Sequence, residues 1–95
     1  MPIRYDLAIE DFNVENDTAH IYVEDVVKEE ETEAVLKVFE CWWDENVSAI
    51  SRIERSPDTN GRMLINVSDD GLNRVVTGFT NAKLDLNGKP IYIHY

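Results

Sequence analysis

Along the chain the spacing of hydrophobic positions switches between two and about 3.6 residues, and each switch marks the edge of an element. In Ala19–Val27, Ile21 and Val23 fall on one side and Tyr22 on the other, which predicts a strand with one buried face. From Lys28 to Glu45 the apolar residues Val35, Leu36, Phe39, Trp42 and Trp43 fall at i, i+1, i+4, i+7 and i+8, the single stripe of an amphipathic helix. Glu29, Glu30, Glu31 and Glu33 crowd its first turns, where the positive end of the helix dipole favours carboxylates. Val47–Arg55 reads as a second strand, and Pro57-Asp58-Thr59-Asn60-Gly61 as a turn. Arg62–Val67 alternates again, with Met63, Ile65 and Val67 set against Arg62, Leu64 and Asn66. Ser68, Asp69 or Asp70 caps a second helix, whose Leu72, Val75, Val76 and Phe79 fall at i, i+3, i+4 and i+7. Asn87-Gly88 predicts a tight turn. Pro90–Tyr95 closes as a strand, Ile91 and Ile93 opposed to Tyr92 and His94.

From residue 20 the order is therefore β-α-β-β-α-β. Joining the first strand to the second, and the third to the fourth, through right-handed helical crossovers gives a split βαβ arrangement. The expected fold is α+β: a ferredoxin-like βαββαβ sandwich, a four-stranded antiparallel sheet with two helices on one face. Two layers suit 95 residues. In residues 1–19 the apolar Ile3, Leu7, Ile9 and Phe12 are scattered among acids. They read as an acidic N-terminal extension to a domain spanning 20–95.

The net charge of −10 is unevenly spread. Residues 1–47 carry fourteen acids against three bases, and residues 48–95 five acids against six bases. That distribution leaves room for a neutral or mildly basic face, so it does not exclude a phosphate-bearing partner. No stretch is apolar for the ~20 residues of a membrane span, and the first residues lack the apolar run of a signal peptide. With Cys41 as its only cysteine the chain forms no internal disulfide and no cysteine zinc site, which fits a reducing compartment, nucleus or cytoplasm. His20 and His94 lack the spacing of a metal pair. There is no glycine-rich phosphate loop, nucleophile elbow or HExxH motif, so no catalytic residue is assigned and no cofactor or metal is implied.

The pieces also resemble a known family. Ile21-Tyr22-Val23-Glu24-Asp25-Val26 is similar to the first-strand motif of RNA-recognition-motif (RRM) domains, an aliphatic–aromatic–aliphatic run. Val35, Phe39 and Trp42 match the apolar spacing of that family's first helix. Val75-Val76, Phe79, Leu84 and Gly88-Lys89-Pro90-Ile91-Tyr92-Ile93 resemble its second helix and last strand. The family's third-strand RNA motif is a basic-Gly-aromatic-small-aromatic run. Here Asn60-Gly61-Arg62-Met63-Leu64-Ile65-Asn66-Val67 stands in its place, with Arg62 and Leu64 at the two aromatic positions. Asp25 sits where Asn is usual and Trp43 where Gly is usual, and about two extra residues follow Trp43 and two more surround Asp85-Leu86.

The resemblance implies an atypical RRM-like binding module in RNA metabolism. Its expected RNA-contacting face is Tyr22, Arg62, Leu64, Asn66, Tyr92 and His94, with Tyr22 at the family's first-strand stacking position. Contact with single-stranded RNA would be weak, since each base stacked on a ring gains only roughly 1–3 kcal/mol and two rings are missing. Glu29, Glu30 and Glu33 at the helix start and Trp43 at the stripe's edge are candidates for a protein partner. A pure protein–protein adaptor without RNA is the alternative, and the concentration of acids admits a third, an acidic viral inhibitor or nucleic-acid mimic.

Overall fold

The computed structural model describes residues 3–25, 28–47, 62–95 and the main chain of 53–55. The chain forms an α+β structure of two helices packed on one face of a curled mixed sheet. In order these are β1 (Tyr5–Asn13), β2 (Thr18–Glu24), α1 (Glu29–Asn46), β3 (Ile53–Arg55), β4 (Arg62–Asn66), α2 (Asp69–Ala82), β5 (Asp85–Leu86) and β6 (Lys89–His94). Five strands build the sheet in the order β3-β4-β2-β1-β6, and the two-residue β5 folds back along β6.

The expected four-stranded antiparallel sheet needs correcting at one point. Residues read as an acidic extension supply β1, which lies inside the sheet between β2 and β6. It runs antiparallel to β2 and parallel to β6. The last strand keeps the direction a βαββαβ fold would give it; only its neighbour is different. The β2-α1-β3 crossover spans one strand, as expected, whereas β4-α2-β6 spans two.

Alternation places β1. Tyr5, Leu7 and Ile9 are buried beneath the helices, level with Ala19, Ile21 and Val23 of β2, Met63 and Ile65 of β4, and Ile91 and Ile93 of β6. Val35, Leu36, Phe39 and Trp43 of α1 and Leu72, Val75 and Phe79 of α2 close the core from above. Phe39 ties the helices together, its ring centroid 5.7 Å from Trp43 and 5.5 Å from Phe79. Such tilted ring pairs add about 0.5–1.5 kcal/mol each beyond their buried area.

Local signals set the element ends. The Ser68 hydroxyl caps α2 by accepting the Gly71 N–H at 3.1 Å. Gly71 must be small here, because a Cβ would stand 2.5 Å from Val67 Cγ2. Asn87 and Gly88, with φ of 55° and 81°, make the turn between β5 and β6. Val47, read as the start of a strand, instead closes α1 through its N–H to the Trp43 carbonyl at 2.7 Å. The predicted turn at 57–61 lies outside the described residues. Among the described residues no helix is long and apolar enough to cross a membrane.

Candidate binding face

Helices cover one side of the sheet, and among the described residues no element covers the other, open side. All six residues expected to contact RNA lie on the open side. Tyr22 of β2 pairs with Arg62 of β4, and His20 with Leu64; Asn66 follows at the end of β4, and Tyr92 and His94 stand on β6. Tyr22 and Leu64 are half-buried, while Tyr92, at 46 % exposure, is open to solvent.

The structure does not, however, bring these residues into one contiguous patch. Ala8 of β1 is opposite both Tyr22 and His94, and Asp6 is opposite both Glu24 and Tyr92. Tyr22 and Tyr92 therefore stand two interstrand spacings apart, roughly 9.5 Å across the sheet, and two residues apart along it. Ala8 is 2 % exposed in spite of facing away from the helices, because the larger side chains on either side close over it.

A bulge gives β1 its second contribution. Glu10 pairs with His20 and Asn13 with Thr18, so Asp11 and Phe12 together face Ala19. Asp11 takes φ of 57°, a left-handed conformation that Asp tolerates at a cost of about 1 kcal/mol. The extra residue returns Phe12 to the core side, where it packs against the buried cluster. It also puts two successive carboxylates, Glu10 and Asp11, on the open face.

These carboxylates meet the expected contact residues one by one. The Tyr22 hydroxyl donates to Glu10 Oε1 at 2.9 Å. The Arg62 guanidinium lies 5.1 Å from the Tyr22 ring centroid, and its Nη1 is 3.5 Å from Asp11 Oδ2. His20 Nδ1, shielded from solvent and without a hydrogen bond, is 3.7 Å from the same oxygen. On the far side of β1, Arg4 sits 4.8 Å above the Tyr92 ring and 3.3 Å from the Asp6 carboxylate. His94 Nε2 is 3.3 Å from Glu24 Oε1. The hydrogen bond to Glu10 raises the Tyr22 phenol pKa above its ordinary value; desolvation and the Glu10 and Glu24 charges add to this, and Arg62 opposes it.

The arrangement is a lattice of rings and paired charges with an excess of acid: Asp6, Glu10, Asp11 and Glu24 against Arg4 and Arg62. Of these, sequence reasoning named only Arg62. Asp6, Ala8 and Glu10 carry a legible signal, since Tyr5-Asp6-Leu7-Ala8-Ile9-Glu10 alternates as a strand should.

The second group of expected contacts divides. Glu29 and Glu30 are exposed at the start of α1, and Glu33 is half-buried. Trp43 is fully buried beside Phe39 and is unavailable to a partner. The accessible tryptophan is Trp42, half-buried at the edge of the core. At about 100° per residue, Trp43 stands roughly 40° from Phe39 around the helix and Trp42 roughly 60° on the other side. The one turned further from the stripe is the one left open. Among the described residues no group of His, Cys, Asp and Glu could hold a metal ion.

No protein-family model, curated protein or solved structure matches the chain, so its functional reading rests on the geometry alone.

Proposed function

We propose that the chain is a non-catalytic binding module whose open sheet face receives an extended, positively charged segment of a protein partner. The observation that carries this reading is the strand bearing Asp6, Glu10 and Asp11 between Tyr22 and Tyr92. A phosphate approaching either ring meets an arginine whose charge is already answered by a carboxylate, Arg4 with Asp6 and Arg62 with Asp11. A lysine or arginine that takes the place of Arg4 or Arg62 meets a ring and a carboxylate together, a combination that attracts cations. The net charge of −10 acts in the same direction at longer range and speeds encounter with a basic partner. Exposed pairs such as Arg4–Asp6 contribute only about 0–1 kcal/mol each, so exchanging them for intermolecular pairs costs little.

Single-stranded RNA is the competing occupant, because Tyr22, Arg62, Tyr92 and His94 do share the face. An NMR titration separates the two. A Lys/Arg-rich pentapeptide and a mixed-sequence RNA pentamer are added at the same low ionic strength. The peptide is expected to shift Asp6, Glu10, Tyr22 and Tyr92, and Asp6→Asn combined with Glu10→Gln to weaken it roughly tenfold, about 1.4 kcal/mol. RNA that moves the same signals at equal or lower concentration overturns the reading in favour of an RNA-binding sheet.

A further inference from the structure

Both histidines of the chain stand on the open face, and each has a carboxylate of that face beside it. Histidine is the side chain whose charge ordinarily changes between about pH 5 and pH 8. The charge balance of this face therefore depends on pH close to neutrality. Glu10 of β1 lies opposite His20, and Asp11 follows in the bulge. Leu64 and Arg62 approach His20 from β4, and Tyr22 is two residues along its own strand. Its Nδ1 is shielded from water and has no hydrogen bond. The nearby carboxylate oxygen, Asp11 Oδ2, is 3.7 Å from that nitrogen and 3.5 Å from Arg62 Nη1.

A neutral imidazole carries a proton on one ring nitrogen and a lone pair on the other, whereas in the imidazolium both nitrogens donate. Protonation thus makes the shielded Nδ1 of His20 a charged donor beside Asp11, and sets it against Arg62 for the same oxygen. The surroundings of His94 are simpler. Ala8 of β1 lies opposite it, and Glu24 of β2 brings Oε1 to 3.3 Å from its Nε2. Asp6, opposite Glu24, is held by Arg4. With both imidazoles neutral, the paired charges of the face are Asp6, Glu10, Asp11 and Glu24 against Arg4 and Arg62, an excess of two acids. With both protonated, four cations meet four carboxylates and the excess is gone.

We infer that the open face is a pH-switched site, which holds a basic segment near neutral pH and releases it on acidification, with His20 and His94 as the switch. This rests on the reading of the face as a receptor for such a segment. Protonated His20 answers Asp11 and protonated His94 answers Glu24, so an incoming lysine or arginine finds both carboxylates already paired. The direction follows from the sign of the charge: a phosphate-bearing partner would be held more tightly, not released, at the lower pH.

The test measures by NMR the affinity of the Lys/Arg-rich pentapeptide, acetylated and amidated so that it does not itself titrate, at about pH 7.5 and about pH 5.5. Ionic strength is low and the same at both. Binding is expected to weaken roughly three- to tenfold at the lower pH, because two exposed ion pairs form within the face. His20→Gln combined with His94→Gln should bring the two affinities within about twofold of each other. His94→Arg places a fixed charge beside Glu24 and should weaken binding at neutral pH already, roughly two- to threefold. His94 is exposed, so this variant does not depend on what the fold tolerates at His20. Unmoved signals from Phe39 and Ile65 show that the core is intact at both pH values. An affinity that does not fall with pH, or a fall that persists undiminished in the double variant, overturns the switch and leaves the basic-segment reading standing. Absence of binding at both pH values overturns the two together.

Discussion

The two faces of the sheet obey the same alternation and mean different things. On the helix side, Tyr5, Leu7, Ile9, Ala19, Ile21, Val23, Met63, Ile65, Ile91 and Ile93 make one apolar surface. Dispersion and burial are non-directional, so each of these residues would be stabilising next to almost any other apolar neighbour. On the open side the neighbour decides. Tyr22 beside another ring would be half of a stacking platform; beside Ala8 and hydrogen-bonded to Glu10, it is a phenol anchoring a carboxylate. A period of two says which residues share a face, but the chemistry of a polar face depends on which strand lies next in the sheet.

The sharpest way to break this contrast is to truncate side chains on each face and measure unfolding in urea. Phe39→Ala should cost about 3–5 kcal/mol, because the ring is fully buried between both helices and Trp43. Leu7→Ala should cost about 2–5 kcal/mol, since Leu7 is fully buried in β1. A near-neutral Leu7→Ala would return β1 to a peripheral extension and restore the neighbourhood of Tyr22 and Tyr92. Leu64→Ala, on the open face and half-buried, should cost about 1 kcal/mol or less. A loss as large as that of Phe39→Ala would mean that the open face is covered.

The smallest expected effect is a pH dependence at Tyr22. Its phenol is raised above the ordinary value of 10.0 in the folded state, so the neutral form is favoured by folding. The corresponding stability is fully present below about pH 10 and is lost as pH rises through the raised folded value. Tyr22→Phe should therefore lose less stability than the parent protein when the urea midpoint is followed from neutral pH into this alkaline range. Parallel losses in the two proteins would mean that the Glu10 bond does not persist in solution.

Much of the architecture is legible locally. Both helices, the Ser68 cap, the Asn87-Gly88 turn and the strands around Ile21, Ile65 and Ile91 follow from spacing and capping chemistry alone. The alternation of β1 is legible over Tyr5–Glu10 but breaks off there for a physical reason. Asp11 inserts one residue at positive φ, so Phe12 falls out of phase with Leu7 and Ile9. The acids between them then look like the composition of a solvated tail rather than the open face of a strand. The position of β1 in the sheet was beyond local signals altogether, since pairing with residues 91–94 is specified by the packed structure. The site fared likewise: the residues expected on one face do lie on one face, but the carboxylates that change its character come from a strand whose place in the sheet spacing did not reveal.

The parallel ladder between β1 and β6 also has a mechanical consequence. Tyr5 is in register with Ile91, Asp6 with Tyr92, Leu7 with Ile93 and Ala8 with His94. Because the strands run in the same direction, the chain enters β1 at one end of this ladder and leaves β6 at the other. Tension applied at residues 5 and 94 would slide the two strands past each other and load all four register pairs together. The β1–β2 hairpin, pulled at its open end, would instead release its pairs one after another. The join between the first and last strands is thus set up to resist stretching of the chain in shear.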